Sequence, residues 1–226
     1  MNREKYQSVN GTLINIQKNI VIKTYYLKTI NKKYKSRIKN LIEDYFFELH
    51  NNGIPVPRLI KSNENLEFHF SYCGQSIFSQ LSGDNFKEII HDNNIILQIV
   101  DICNNAISND INFDPHIKNF TIKNGQIFYV DVFPPLNNAY IKILIKANSQ
   151  NKNRIKEQFN LFSPKLIANH FIADIQKSFP NKEQILEVFS QRFLEYGLLD
   201  KINKSLINNI IAIENQNHGD SHFSLS

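Results

Sequence analysis

The sequence predicts an α+β chain, with strands gathered in the first 74 residues and helices filling most of the rest. Three observations carry that prediction. Residues 12–16 (Thr-Leu-Ile-Asn-Ile) and 20–24 (Ile-Val-Ile-Lys-Thr) are β-branched, apolar runs on either side of Gln17-Lys18-Asn19. Residues 38–49 set Ile38, Leu41, Ile42, Tyr45, Phe46 and Leu49 on one helical face. Beyond residue 75 the apolar residues recur at helical spacing, interrupted by one hairpin closed by Asn124-Gly125.

In chain order, a very short strand is expected near Lys5–Gln7, then the 12–16 and 20–24 pair. The helix over 38–49 ends at Asn51-Asn52-Gly53, and Pro55-Val56-Pro57 enforces an extended exit. Residues 57–61 and 66–72 read as two further strands. Residues 76–81 and 86–107 read as helices, the longer one carrying the stripe Ile95, Ile96, Ile99, Ile102, Cys103 and Ala106. The hairpin pairs Asn119–Ile122 with Gln126–Val130. Ser163-Pro164 is expected to cap a helix holding Leu166, Ile167, Phe171, Ile175 and Phe179. Helices over 182–196, stopped by Gly197, and over about 199–214 follow, with a frayed polar tail from Gln216 to Ser226.

A chain of 226 residues suits one sizeable domain or two closely packed lobes. No apolar run reaches the roughly 18–20 residues that span a bilayer. The polar start, Met-Asn-Arg-Glu-Lys, is not a signal peptide, and the expected location is cytoplasmic. Cys73 and Cys103 sit in apolar contexts and read as buried free thiols. The net charge of +5 suits an anionic ligand such as a nucleotide and does not call for nucleic acid. A basic run, Lys28, Lys32, Lys33, Lys35, Arg37 and Lys39, reads first as a solvated approach to a helix. Peripheral contact with a membrane surface or an acidic substrate is its alternative. Dinucleotide-binding and Walker-type loops are excluded, because neither glycine pattern occurs.

The chemistry concentrates in Phe113-Asp114-Pro115-His116-Ile117-Lys118-Asn119 and, across the hairpin, Tyr129-Val130-Asp131. Three oxygen-bearing side chains gather at one end of a strand pair. Phosphoryl transfer asks a protein for positioning more than for covalent work. Asp114 can accept a hydrogen bond from an attacking hydroxyl. Mg²⁺ keeps several waters, so one carboxylate and one amide oxygen, from Asp131 and Asn119, are enough protein ligands. His116 reads as a loop residue with a structural hydrogen bond and is given no catalytic role. The tail spells His218-Gly219-Asp220-Ser221-His222, but Leu225 stands where an Asn is needed and no strand can follow.

These residues resemble the catalytic loop and metal-binding strand of the protein-kinase-like superfamily, most closely its aminoglycoside phosphotransferase and choline kinase branch. That branch reads roughly H-G-D-x-H-x-x-N, a hairpin, an apolar pair and Asp. Asp114, His116, Asn119 and Asp131 match by position. Asn112-Phe113 replaces His-Gly, and Val132-Phe133-Pro134-Pro135 follows the last Asp. The resemblance implies a two-lobed fold: a small β-rich nucleotide-binding lobe with one helix (1–74) and a mainly helical lobe for catalysis and acceptor binding (75–226). It implies Asp114 as catalytic base, Asn119 and Asp131 as Mg²⁺ ligands, and Lys23 on the phosphates of ATP or GTP, paired with Glu43. It further implies a reduced phosphate loop around Gly11, and an interlobe segment at Ser71 and Cys73 whose backbone would meet a purine. The resemblance covers residues 8–135, and the remaining helices agree only in class. The expected activity is transfer of a γ-phosphate to a hydroxyl of a small molecule or sugar. The alternative is a weakly active or inactive kinase-like binding or scaffolding protein, with nucleotidyl transfer as a third option. The helices beyond residue 140 lack the acidic cluster that a polycationic aminoglycoside would need.

Overall fold

The computed structural model describes residues 4–7, 12–25, 32–84, 86–147 and 149–219. Gly11, with most of the segment around it, lies outside them. Five strands form the first antiparallel sheet: β1 (Glu4–Gln7), β2 (Thr12–Gln17), β3 (Ile20–Tyr25), β4 (Leu59–Ser62) and β5 (Glu67–Ser71), in the order β1-β2-β3-β5-β4. The β2–β3 hairpin turns through Lys18 and Asn19, with Gln17 opposite Ile20 and Ile14 opposite Lys23. Helix α1 (Lys32–Asn51) packs its apolar stripe on this sheet, with the Phe46 and Phe70 rings 5.9 Å apart. The helix ends at Gly53, and Ile54 N–H returns to the Leu49 carbonyl at 3.0 Å.

The second sheet has the order β6-β7-β8: β6 (Gln75–Ser76), β7 (Phe120–Lys123) and β8 (Gln126–Tyr129). Around it lie α2 (Ile77–Ser82), α3 (Phe86–His91), α4 (Asn93–Ser108), α5 (Asn138–Ala147), α6 (Lys152–Asn160), α7 (Ile167–Ser178), α8 (Glu183–Glu195) and α9 (Lys204–Gly219). The β7–β8 turn has Asn124 at φ 52° and Gly125 at φ 76°. Two positive φ values in succession are what a type I′ turn requires, and Asn-Gly supplies them at least cost. Gln98 of α4 clamps this hairpin. Its amide donates to the Gly125 carbonyl and its oxygen accepts from Ile127 N–H, both at 2.9 Å.

Three expectations are corrected. Residues 86–107 form two helices rather than one. Asp92 breaks them, because its carboxylate accepts from Asn94 and Ile95 N–H and so caps a new helix start. Ser163 does not cap α7 through its hydroxyl, which donates to the Asn160 carbonyl; the Ser163 carbonyl accepts from Leu166 and Ile167. The last helix starts at Lys204, not 199, because the Asn203 side chain caps it through Leu206 N–H at 3.1 Å, and it runs on to Gly219.

A continuous apolar core runs from Tyr25 in β3 through the α1 stripe and the hairpin to Ile210 in α9. Polar ties cross it: Tyr129 N–H to the Pro55 carbonyl (2.8 Å), the Asn105 amide to Gly53 (3.0 Å) and the Asn137 amide to Leu41 (3.3 Å). Cys73 and Cys103 are buried free thiols. No described helix is long and apolar enough to cross a membrane.

Candidate active site

The β7–β8 ladder continues one step past its strands. Val130 N–H donates to the Asn119 carbonyl at 2.9 Å, so Asn119 stands opposite Val130 and beside Asp131. From the first sheet, Lys23 reaches the same point, donating to the Val130 carbonyl at 2.6 Å. Asn119 turns its amide nitrogen to the Asp114 carbonyl at 3.3 Å, and no described residue donates to its side-chain oxygen. Asp114, Asn119, Asp131 and Lys23 therefore meet at one end of the hairpin.

Burial and charge set the state of each group. Burial pushes the Lys23 ammonium down, and the nearby Asp131 charge opposes this. Asp131 is held above the usual carboxylate range by burial and by the Asp114 charge, against Lys23, Lys118 and the Phe133 N–H. Burial alone would raise Asp114 too. His116, through charge and hydrogen bond, with help from His170 and Lys118, instead holds it well below. Of the two carboxylates, Asp114 is thus the one kept ionised by the protein itself. Asp131 is the one whose charge burial and Asp114 oppose.

Aromatic residues support the loop from behind. Tyr45 of α1 donates to the Asn112 carbonyl at 2.9 Å, and the Phe113 and Tyr129 rings lie 4.2 Å apart. Tyr25 stacks on Phe133, centroids 4.1 Å apart, just past Asp131.

Two expected residues behave differently. Glu43 does not pair with Lys23. It is engaged by Lys39 at 3.1 Å, one turn away on its own helix, and by the Ser62 hydroxyl of β4. Both partners are local to Glu43, whereas Lys23 has turned to Val130. In the segment expected to join two lobes, Ser71 N–H is committed to the Arg58 carbonyl, Tyr72 N–H to Asn19, and the Tyr72 carbonyl to Lys123. The Cys73 N–H and carbonyl are left without a described partner, and the Cys73 thiol donates to Ser71 O at 3.6 Å. Gly74 follows with φ +89°, and a Cβ there would sit 1.8 Å from the Ile122 carbonyl oxygen. The segment presses against β7.

Sequence reasoning missed a buried polar cluster behind Asp114. His116 donates from Nδ1 to Asp114 and from Nε2 to Glu214 of α9 at 2.8 Å. His170 of α7, fully buried, donates from Nδ1 to the Leu161 carbonyl at 3.0 Å and from Nε2 to the same Glu214 oxygen at 2.6 Å. Lys177 holds the other Glu214 oxygen at 3.2 Å, and Asp174 accepts from Ile117 N–H at 2.7 Å. Burial works against the Glu214 charge, but the two histidines hold it well below the usual range. His116 is raised well above its ordinary value despite burial, chiefly by Asp114. A signal was present: His170 and Asp174 fall on the apolar stripe of Phe171 and Ile175, and Glu214 on that of Ile207 and Ile210. A charged residue on an apolar stripe needs a partner.

Comparison with known proteins gives little to set beside this geometry. No family model matches the sequence, and no curated protein matches it. Among solved structures, the chain is similar to a choline/ethanolamine kinase family protein from Mesorhizobium loti. The two are 10% identical, and the match covers 94% of this chain and 86% of that one with a TM-score of 0.32.

Proposed function

We propose that the chain is an ATP- or GTP-dependent phosphotransferase acting on a hydroxyl of a small molecule or sugar. The observation that carries this reading is the meeting of Lys23, Asp114, Asn119 and Asp131 at the Asn119–Val130 backbone pair. On this reading the five-stranded sheet with α1 is a nucleotide-binding lobe, residues 1–74, and the remainder is a lobe for catalysis and the acceptor.

The donor set fits Mg²⁺: a buried carboxylate kept from easy ionisation, an amide oxygen with no described donor, and all-oxygen chemistry. Asp131 and Asn119 would hold the ion, which when bound would neutralise phosphate charge. Lys23 would leave the Val130 carbonyl to meet the phosphates. Asp114, already ionised, would accept the hydrogen bond of the acceptor hydroxyl, orient it and take its proton as the hydroxyl oxygen bonds to the γ-phosphorus and the bond to the departing nucleoside diphosphate breaks. The Cys73 N–H and carbonyl, without a partner among the described residues, would meet the purine edge. Glu43 would reach Lys23 only by releasing Lys39 and Ser62.

The test is thermal stabilisation by Mg·ATP and Mg·GTP in wild type, Asp131→Ala and Lys23→Ala, with γ-phosphate release measured in wild type and Asp114→Ala. Stabilisation is expected in wild type and lost in the first two variants. Turnover is expected to fall at least ~100-fold in Asp114→Ala while nucleotide binding remains. A wild type that no nucleotide stabilises would refute the reading. Binding without turnover across a broad panel of hydroxyl acceptors would favour a kinase-like binding protein.

A further inference from the structure

The cluster behind Asp114 has a geometry that the phosphotransferase reading does not use. The Nε2 atoms of His116 and His170 and a Glu214 oxygen lie within 4.8 Å of one another, all three residues being mostly or fully buried. Each imidazole has its far nitrogen fixed: His170 Nδ1–H on the Leu161 carbonyl and His116 Nδ1–H on the Asp114 carboxylate. A carbonyl or carboxylate on Nδ1 is the arrangement that orients a histidine to ligate a metal through Nε2. Both Nε2 atoms converge on one Glu214 oxygen, at 2.8 and 2.6 Å. Both rings thus turn Nε2 toward one carboxylate oxygen, where a divalent cation could be ligated by all three residues.

We propose that His116, His170 and Glu214 form a zinc site that pins α9 to the loop carrying Asp114. Two imidazole nitrogens and one carboxylate are a donor set suited to Zn²⁺ and poorly suited to Mg²⁺. Bonds of about 2.0–2.1 Å in a tetrahedron separate neighbouring donors by about 3.3 Å. The present 2.6–2.8 Å spacings would therefore open by roughly half an ångström. Asp174, with an oxygen 3.9 Å from His116 Nε2, or a water would complete four-coordination. Lys177, on the other Glu214 oxygen, orients that carboxylate toward the histidines. The ion would be structural and separate from the oxygen donors Asn119 and Asp131; His116 links it to Asp114, but its binding is read without any phosphoryl transfer.

The experiment titrates Zn²⁺, in excess Mg²⁺, into the untagged full chain against a chromophoric chelator. Wild type is compared with His170→Gln, Glu214→Gln and the tail double variant His218→Ala/His222→Ala, each checked for folding by circular dichroism. One Zn²⁺ per chain is expected in wild type and in the tail variant. Affinity is expected to be at least ~100-fold weaker in His170→Gln and Glu214→Gln. Co²⁺ in wild type is expected to give the intense visible bands of a four-coordinate ion, a readout that needs no variant. Binding that disappears with the tail histidines, affinity unchanged in a folded His170→Gln or Glu214→Gln, or a pale six-coordinate Co²⁺ spectrum would each overturn the proposal.

Discussion

At the scale of single residues, the closest constraint is at Gly74. It combines φ +89° with a Cβ position 1.8 Å from the Ile122 carbonyl oxygen, a backbone atom that cannot yield without moving β7. Gly125 has a similar φ, +76°, with nothing within 4 Å of its Cβ position. The pair separates two costs. Gly125→Ala should lose about 1–2 kcal/mol, the left-handed backbone penalty alone. Gly74→Ala should lose about 3 kcal/mol or more, because the clash adds to that penalty. Chemical denaturation of both variants checks the difference, and equal losses would show that the Gly74 contact relaxes freely. The residues at the candidate site were legible to different degrees. Asp114, Asn119 and Asp131 could be read because their spacing lies along one local hairpin. The partners of Glu43 were legible only in part: Lys39 at i,i+4 can be read from spacing, but the Ser62 hydroxyl of β4, 19 residues on, meets Glu43 only in three dimensions. The role of His116 depends on Glu214, which lies 98 residues away in sequence.

Among the elements, helix ends show how sequence signals were overruled. Residues 86–107 read as one helix, yet Asp92 serves two N–H groups at once by starting a second one. The short helix α2 ends on carbonyls that no later turn can reach. Lys182, at the start of α8, meets three of them: Leu81, Ser82 and Gly83, at 2.7, 2.8 and 3.0 Å. Its ammonium also lies 4.5 Å from the centre of the Phe86 ring. Positive charge at a helix C-terminus is favourable, and three charge-assisted bonds would otherwise revert to water. Lys182→Met keeps the apolar stem and removes the donor. It should lower stability by about 1–2 kcal/mol, read as a fall in Tm of about 2–4 °C per kcal/mol. An unchanged Tm would mean that water replaces the ammonium without loss.

For the whole molecule, the decisive fact is that the core is continuous from the first sheet to α9. Phe171 sits within it. It stacks on Phe193 at 5.1 Å and meets Phe189 and Phe120 edge-on at 4.9 and 6.1 Å, so it joins α7 and α8 to the hairpin. Phe171→Ala should cost about 3–5 kcal/mol. Its effect should appear as one displaced unfolding transition, seen alike by β-sheet and helix signals in circular dichroism. Two separated transitions would show that the sheet of β1–β5 holds its own stability. The strand and helix content of this architecture was largely legible, because periods of two and 3.6 are local properties. The joining of the parts was not, because Tyr129 to Pro55, Asn105 to Gly53 and Lys23 to Val130 are pairings without any sequence period.

The step of the β7–β8 ladder at Asn119 and Val130 also bears on which insertions and deletions the chain can accept. Alternate residues of a strand face opposite sides. Residues added at the tip, between Asn124 and Gly125, lengthen the turn and leave the Asn119–Val130 pairing and the placement of Asp131 intact. One residue gained or lost inside either strand reverses parity and exchanges Asp131 with Val130. The carboxylate would then face away from Lys23, and Ile127 and Tyr129 would turn out of the core. Length variation in this hairpin should therefore collect at its tip and be even-numbered wherever it enters the strands, which keeps Ile127 and Tyr129 in the core together with Asp131 beside Lys23.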